Sequence, residues 1–406
     1  MHFTGKKVKS SLPVINLSNV VSYSSIHLLS IKGISVSNNS SQSLRVASAL
    51  KTQFIADALA MPVHWFYQPL EIERAFPGGI QRFEAAPEFH PSSIMSLHSK
   101  RKGGRQTSDA SSNTATEVVG DIILKDKAQF WNTPNMHYHQ GMQAGENTLN
   151  AYCARVLMRV LASSPESYNK KTFVNAYIDF MTTQPPAHPD TYAESYHRGF
   201  FANFAQGRKP EKCAMKTHDT ASVGGLVTLA PLVFSERLKG ASESAIQVLC
   251  REHLALTHPD DSLMRVSDHY VKLLCGLMDG PDEDSVKALL IEAGKGSQDF
   301  DLVELVKRNL PDNQVVGHIF SRACYISDSW PVVLYLAYKY QNDPWQALKV
   351  NTNLGGDNVH RGMVLGVLFG LQSNTVATNW FNQLVNHNAI GQEIDALINA
   401  ATDSKH

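Results

Sequence analysis

The sequence has no excess of charge of either sign. Its 406 residues include 37 Lys and Arg side chains and 37 Asp and Glu side chains. Proteins that bind along a nucleic-acid backbone neutralise its phosphates with a surplus of Lys and Arg. Because that surplus is missing, we expect no nucleic-acid partner.

Paired cysteines and long apolar runs are missing as well. The five cysteines, at positions 153, 213, 250, 275 and 324, are odd in number and form no Cys-x-x-Cys pair. This argues against a disulfide framework and against a zinc knuckle. No segment approaches the ~20 apolar residues that a membrane-spanning helix needs. We therefore expect no membrane association.

Acidic residues are absent from the first 56 positions, and Asp57 is the first of them. The same segment contains thirteen serines and scattered Lys and Arg residues. A basic, serine-rich and acid-free N-terminus is typical of organellar transit peptides. We expect residues 1–42 to be disordered. A transit peptide predicts an organelle, either mitochondrion or plastid, whereas a tail without targeting information leaves the protein in the cytoplasm.

Strand signals are almost absent, since no alternating Val, Ile and Thr runs lie between Asn-Gly or Asp-Gly turns. Apolar residues instead recur at helical spacing, for example from Leu149 to Leu161. Many helices with short polar connections predict an all-α fold, a compact orthogonal multi-helix bundle. We predict a single domain over residues 43–400, with a mobile insertion near residues 98–118.

Three short segments contain residue types that are typical of a site. They are Asp57–Trp65, His137–Thr148 and Asn351–Gly362. The second and third segments each lead into an apolar helix, where free backbone N–H groups favour an anion and where Glu146 or Asp357 can face a cation. For each residue taken alone, helix capping is the simpler alternative.

In these segments the sequence resembles the ADP-ribosylglycohydrolase family, which also includes dinitrogenase-reductase-activating glycohydrolase and crystallin J1. The family's C-terminal signature is similar to residues 351–370, NTNLGGDNVHRGMVLGVLFG. Its N-terminal segment is similar to residues 55–65, IADALAMPVHW, and its Thr-Asp-Asp-Thr region to residues 144–161, AGENTLNAYCARVLMRVL. The similarity extends from about Leu44 to Leu371 and implies the all-α fold of that family.

The family's metal site transfers to this sequence only in part. The resemblance implies two Mg²⁺ ions, held by an N-terminal Glu, a Thr-Asp-Asp run, and the two Asp and the Thr of Gly-Gly-Asp-Thr-Asp-Thr. The matching positions here are, in that order, His64, then Gly145, Glu146 and Asn147, then Asp357, Val359 and His360. The metal ligands that the resemblance implies are therefore His64, Glu146, Asn147, Asp357 and His360, with Glu146 and Asp357 as the catalytic residues.

Two carboxylates and two imidazoles suit a single transition ion better than two Mg²⁺ ions, which prefer oxygen ligands. We expect at most one divalent ion, Mn, Fe, Zn or Mg, and a site without metal is the alternative. The candidate substrate contacts are Asp57, His137, His139, Gly224, Gly225, Gly355, Gly356 and Asn358.

We interpret the chain as an ADP-ribosylglycohydrolase-like hydrolase with a remodelled metal site. It would act on a ribosyl glycosidic bond or a related small substrate, and we expect it to be a monomer. The substrate would be a small molecule or an ADP-ribosyl group. Release of ADP-ribose from modified arginine or serine by two Mg²⁺ ions is expected to be weak or absent. The alternative is a non-catalytic, crystallin J1-like structural or ligand-binding protein.

Overall fold

The computed structural model describes residues 24–97, 117–164, 166–217, 219–295 and 300–404, with side chains from Ser40 onward. Residues Ser41–His406 form one compact unit, and Met1–Ser40 are a separate one. Much of the predicted tail and almost all of the predicted insertion lie outside the described residues. Both stay predictions.

All extended regular structure in the described ranges is helical, and these ranges contain no strand. The predicted all-α fold is confirmed. No described helix is both long and apolar enough to cross a bilayer. The α-helices are α1 (Ser24–Ala60), α2 (Pro69–Ala75), α3 (Leu149–Ser163), α4 (Lys170–Thr182), α5 (Ser195–Ala205), α6 (Leu229–Lys239), α7 (Glu243–Leu254), α8 (Asp261–Met278), α9 (Glu283–Gly294), α10 (Leu302–Lys307), α11 (Asp312–Gln314), α12 (Ile326–Lys339), α13 (Pro344–Leu354), α14 (Asn358–Gln372), α15 (Thr375–Trp380) and α16 (His387–Asp403).

Polar side chains mark where several of these helices begin. The carboxylate of Asp260 accepts hydrogen bonds from the N–H groups of Ser262 and Leu263 at the start of α8. Asn169 and Asp343 cap α4 and α13 in the same way. Each cap satisfies backbone donors that have no partner within the helix, and contributes ~1 kcal/mol.

Helix α14 lies in the core, and all of its residues from Asn358 to Leu371 are buried. It packs against α1 through Gly366 and Gly370. A Cβ atom on Gly366 would lie 2.7 Å from the carbonyl oxygen of Thr52, and one on Gly370 would lie 2.5 Å from Cα of Ala49. The contacts run in opposite directions along the two helices. The start of α14 is therefore next to the end of α1, and the candidate site lies where these two helix ends meet.

Candidate functional site

A glycine turn brings Asp357 to the start of α14. The φ angles of Gly355 and Gly356 are 70° and 65°, in the left-handed region that favours glycine. A Cβ atom on Gly355 would collide with the carbonyl group of Phe66, and one on Gly356 with that of Arg322. These two glycines, predicted as substrate contacts, are therefore required by the backbone itself.

The same turn is tied to the segment that follows α1. The N–H of Gly356 donates to the carbonyl oxygen of Phe66 over 2.7 Å, and the N–H of Trp65 donates to that of Gly356 over 2.8 Å. These two hydrogen bonds join the residues that directly follow His64 to the residue that precedes Asp357. His64 is therefore held beside Asp357, although the two are distant in sequence.

His64, Asp357 and His360 form a buried cluster. Nε2 of His64 lies 3.1 Å from Oδ1 of Asp357, and Nδ1 of His360 lies 2.7 Å from the same oxygen. The three residues are 1%, 0% and 2% exposed. One ligand atom from each lies within 4.8 Å of the others. Three of the five predicted metal ligands thus converge.

Two ligand atoms of this cluster have no hydrogen-bond partner. They are Oδ2 of Asp357 and Nδ1 of His360, whose short approach to Oδ1 of Asp357 lacks the alignment of a hydrogen bond. Buried atoms of this kind are rare, because each costs about 1–3 kcal/mol. Two imidazoles with one carboxylate fit a single transition ion. They do not fit two Mg²⁺ ions, which need more oxygen ligands.

A second imidazole and a second carboxylate continue from His64. Its Nδ1 lies 2.8 Å from Nε2 of His139, and Nδ1 of His139 lies 2.8 Å from Oδ1 of Asp190. Asp190 also accepts the N–H of Leu149 at 2.8 Å and that of Tyr192 at 3.2 Å. Burial raises the pKa of Asp190, but the charge and hydrogen bond of His139 outweigh burial and lower this pKa overall. The Asp190 carboxylate is therefore ionised.

Asn150 and Glu194 lie on the other side of His360. Nδ2 of Asn150 donates to Oε2 of Glu194 over 2.6 Å and lies 2.5 Å from Nε2 of His360. Burial raises the pKa of Glu194 to about 7. Burial alone would lower the pKa of His360, but the charges of Asp357 and Glu194 outweigh it and raise the pKa to about 9. The Glu194 carboxyl and the His360 imidazole, both with raised pKa values, thus lie beside each other.

A cavity of about 10 Å³ lies among these side chains, bounded by His64, His139, Glu194 and His360, among others. That volume holds roughly one water molecule. Trp65 is the lining residue that is not fully buried, and its ring stacks on that of His64 with the centroids 3.6 Å apart. The Trp65 indole therefore closes the cavity towards the surface.

The structure does not bring Glu146 into this cluster. Its carboxylate is partly exposed and accepts the N–H of Gln143 over 2.8 Å. A distant part of the chain holds the turn that precedes Glu146, because the N–H of Val385 donates to the carbonyl oxygen of Gly145. The acid beside His360 is instead Glu194, which the sequence analysis missed because no family motif contains it. Its position directly before α5 was the available signal.

Asp57 and Asn147 connect helices and do not line the cavity. The Asp57 carboxylate accepts Nδ2 of Asn147 at 2.8 Å, and the N–H and the hydroxyl of Thr148 at 2.9 and 2.6 Å. The end of α1 is thereby joined to the start of α3. We therefore assign both residues to the frame of the site and not to substrate or metal contacts.

His137 and Asn358 are also engaged by the backbone. Nε2 of His137 lies 3.1 Å from the carbonyl oxygen of Pro62, and its Nδ1 accepts the N–H of His139 at 3.0 Å. The amide of Asn358 donates to the carbonyl oxygen of Thr352 over 2.8 Å. Both residues hold the cluster in place, whereas His139 itself belongs to it.

Gly224 and Gly225 differ in their distance from the cluster. A Cβ atom on Gly224 would lie 3.5 Å from Nδ1 of His360, so this glycine forms part of the wall behind that ring. A Cβ atom on Gly225 would lie 2.6 Å from the side chain of Leu263, in the hydrophobic core. Only Gly224 therefore lies next to the cluster.

Known proteins share both the sequence pattern and the fold. A family model described as ADP-ribosylglycohydrolase matches residues 38–405. Among solved structures, a chain titled "ADP-ribosylglycohydrolase-related protein complex" superimposes with a TM-score of 0.52 at 16% identity, over 89% of this chain and 99% of that one. At this identity the similarity shows the fold alone. No curated protein matches.

Proposed function

Since this chain belongs to the ADP-ribosylglycohydrolase family, we propose that it hydrolyses a ribosyl glycosidic bond with one transition-metal ion in its site. The observation that carries the proposal is the convergence of His64, Asp357 and His360, with two ligand atoms left without hydrogen bonds. The comparisons do not favour the non-catalytic, crystallin J1-like alternative.

The residues that would hold the ion are His64 through Nε2, Asp357 through a carboxylate oxygen and His360 through Nδ1. When bound, such an ion acts as a Lewis acid that polarises an oxygen of the substrate or of water. The protein contributes a buried, preformed arrangement of these ligands. Low exposure of all three strengthens their electrostatic interactions.

Glu194 is the group placed to move a proton. Hydrolysis of a glycosidic bond requires a base that takes a proton from water and an acid that gives one to the leaving group. The Glu194 carboxyl lines the cavity, and its Oε2 lies 3.8 Å from Nε2 of His360. The amide of Asn150 orients it by a hydrogen bond over 2.6 Å. We assign the acid–base role to Glu194 on this geometry.

Trp65 has to move for a sugar to reach the cluster. The cavity of about 10 Å³ admits roughly one water molecule, far less than a ribose ring needs. The backbone of Trp65 has a positive φ angle of 61°, which is uncommon for a residue other than glycine. We therefore include a displacement of this side chain in the proposal.

The test is release of free ADP-ribose or ribose, followed by chromatography, from ADP-ribosyl-arginine, ADP-ribosyl-serine and simpler ribosides. Each substrate is incubated with the protein and Mn²⁺, Fe²⁺, Co²⁺, Zn²⁺ or Mg²⁺. We expect turnover of at least one riboside with a transition ion, and its loss in Asp357→Asn. No turnover with any ion, or turnover that survives Asp357→Asn, would contradict the proposal. Efficient cleavage with two bound Mg²⁺ ions would restore the ordinary family site.

A further inference from the structure

Arg361 lies near the start of α14, four residues after Asp357, and its side chain is fully buried. Each of the three guanidinium nitrogens donates a hydrogen bond. Nε donates to Oδ1 of Asn351 over 3.1 Å, Nη1 to the carbonyl oxygen of Arg322 over 3.2 Å, and Nη2 to that of Gly355 over 2.8 Å. None of these acceptors is a carboxylate, although a buried cation is normally paired with one.

The three acceptors surround the backbone of Asp357. Asn351 belongs to α13, Gly355 directly follows that helix, and Arg322 lies before α12. The N–H of Asp357 donates to the carbonyl oxygen of Arg322 over 2.9 Å, so Asp357 and the guanidinium share this acceptor. Arg361 therefore joins three chain segments at the point where the Asp357 carboxylate is aimed into the cluster.

Gly355 and Gly356 make the turn before Asp357 possible, but they do not hold it in shape. Glycine adopts their positive φ angles of 70° and 65° without strain, yet it adopts many other conformations as readily. The turn therefore depends on contacts for its rigidity. The bond from the N–H of Gly356 to Phe66 is one such contact, and the bond from Arg361 to the carbonyl oxygen of Gly355 is another.

We propose that Arg361 is a positioning residue, whose guanidinium holds the glycine turn in the conformation that directs Asp357 at the metal ion. The proposal rests on the metal ion of the proposed function but not on its reaction. Side chains behind metal ligands fix the direction of those ligands. The planar guanidinium suits this role because its donors point in fixed and different directions, whereas a lysine ammonium is a single point of charge.

The charge of Arg361 and its positioning role predict opposite effects on metal binding. Removing a positive charge near a cation site strengthens cation binding by itself, because like charges repel. Loosening the turn that carries Asp357 weakens cation binding. Arg361→Met removes both the charge and the three hydrogen bonds, and it leaves an unbranched side chain in the same space. A loss of affinity in this variant therefore identifies positioning.

Arg155→Met is the matched control. Arg155 is also a buried arginine, 6% exposed, but it donates to Glu393 and so joins α3 to α16. A general weakening of the fold would affect both variants alike. Arg361→Lys is a milder variant that keeps the positive charge, and it decides the test if Arg361→Met does not fold. One ammonium group cannot reach all three acceptors, so this variant should also bind metal more weakly.

The experiment uses the full chain, freed of metal, and two measurements. Visible absorption gives the Co²⁺ affinity and, at saturation, the coordination of the ion. Amide hydrogen exchange followed by mass spectrometry reports on residues 351–362 before metal is added. In Arg361→Met we expect about a 10- to 100-fold loss of Co²⁺ affinity, an altered absorption spectrum at saturation and faster exchange in this segment. Arg155→Met should change none of these.

The proposal is overturned if Arg361→Met binds Co²⁺ as tightly as the unaltered chain or more tightly, or if Arg155→Met loses the same affinity. Full affinity in Arg361→Lys would also overturn it, since charge alone would then suffice. It fails as well if the unaltered chain binds no Co²⁺, which would remove the metal ion from the proposed function too. If Co²⁺ binding behaves as expected but no riboside is cleaved, only the proposed reaction fails.

Discussion

Gly370→Ala tests the close contact between α1 and α14, on which the position of the cluster depends. The new Cβ atom would lie 2.5 Å from Cα of Ala49, 2.6 Å from the carbonyl oxygen of Ser48 and 2.8 Å from N of Ala49. All three are backbone atoms, so no side-chain rotation can relieve the overlap and the helices have to separate.

The magnitude follows from two opposing terms. Alanine gains about 1 kcal/mol over glycine in a helix interior. Overpacking of a well-packed core costs about 1–3 kcal/mol, and a clash with backbone alone belongs at the upper end of that range. We therefore expect Gly370→Ala to lower the free energy of unfolding by about 2 kcal/mol, as the difference of these terms.

Gly391→Ala provides the control within the same chain. Gly391 lies inside α16, where the nearest atom to an added Cβ is on the Phe381 ring at 3.7 Å, an ordinary van der Waals contact. With no overlap, only the helix term remains, and this variant should gain about 0.5–1 kcal/mol. Urea denaturation followed by circular dichroism measures both. If Gly370→Ala is stabilised like Gly391→Ala, the contact between α1 and α14 is not as close as described.

Three further predictions concern the site and the tail. Glu194→Gln should abolish riboside hydrolysis while leaving Co²⁺ affinity within a few-fold, since Glu194 contacts the cluster without being a ligand; a parallel loss of both would make its role structural. A chelator should lower the melting temperature of the protein. Adding Zn²⁺ at 100 times its dissociation constant should then raise the free energy of unfolding by about 2.7 kcal/mol. An equal gain in stability with Mg²⁺ would argue against the imidazole ligands. Removing residues 1–40 should leave the melting temperature unchanged, because they form a unit separate from Ser41–His406; a large decrease would show that the tail belongs to the fold.

The site carries fewer carboxylates than the family resemblance implies, and this limits how many cations it can hold. Three of the carboxylates that the resemblance implies are replaced here by His64, Asn147 and Val359, and His360 takes the place of a threonine. Imidazoles bring no negative charge in their neutral form, so fewer cations can be held together. The single ion that we propose, in place of the two Mg²⁺ ions that the resemblance implies, would therefore follow from ligand chemistry, while the helical frame around the site is kept.

Helical periodicity and the glycine-rich segment before α14 were sufficient to predict an all-α chain and its family. Both signals are local, since a helix depends on spacing within a few residues and Gly355-Gly356-Asp357 carries its own backbone requirement. The partnership of His64 with Asp357 and His360 followed from the resemblance, because each lies in a recognisable segment.

The remaining members of the cluster depended on tertiary structure. Glu146 lies in a matched segment but turns back to Gln143, because contacts with the chain near Val385 hold its turn. Glu194 and Asp190 lie in no recognisable motif and reach the cluster only when α5 and the segment before it pack against α3. Which carboxylates enter a buried site is decided by the direction of each side chain after packing, and spacing along the sequence does not contain that direction.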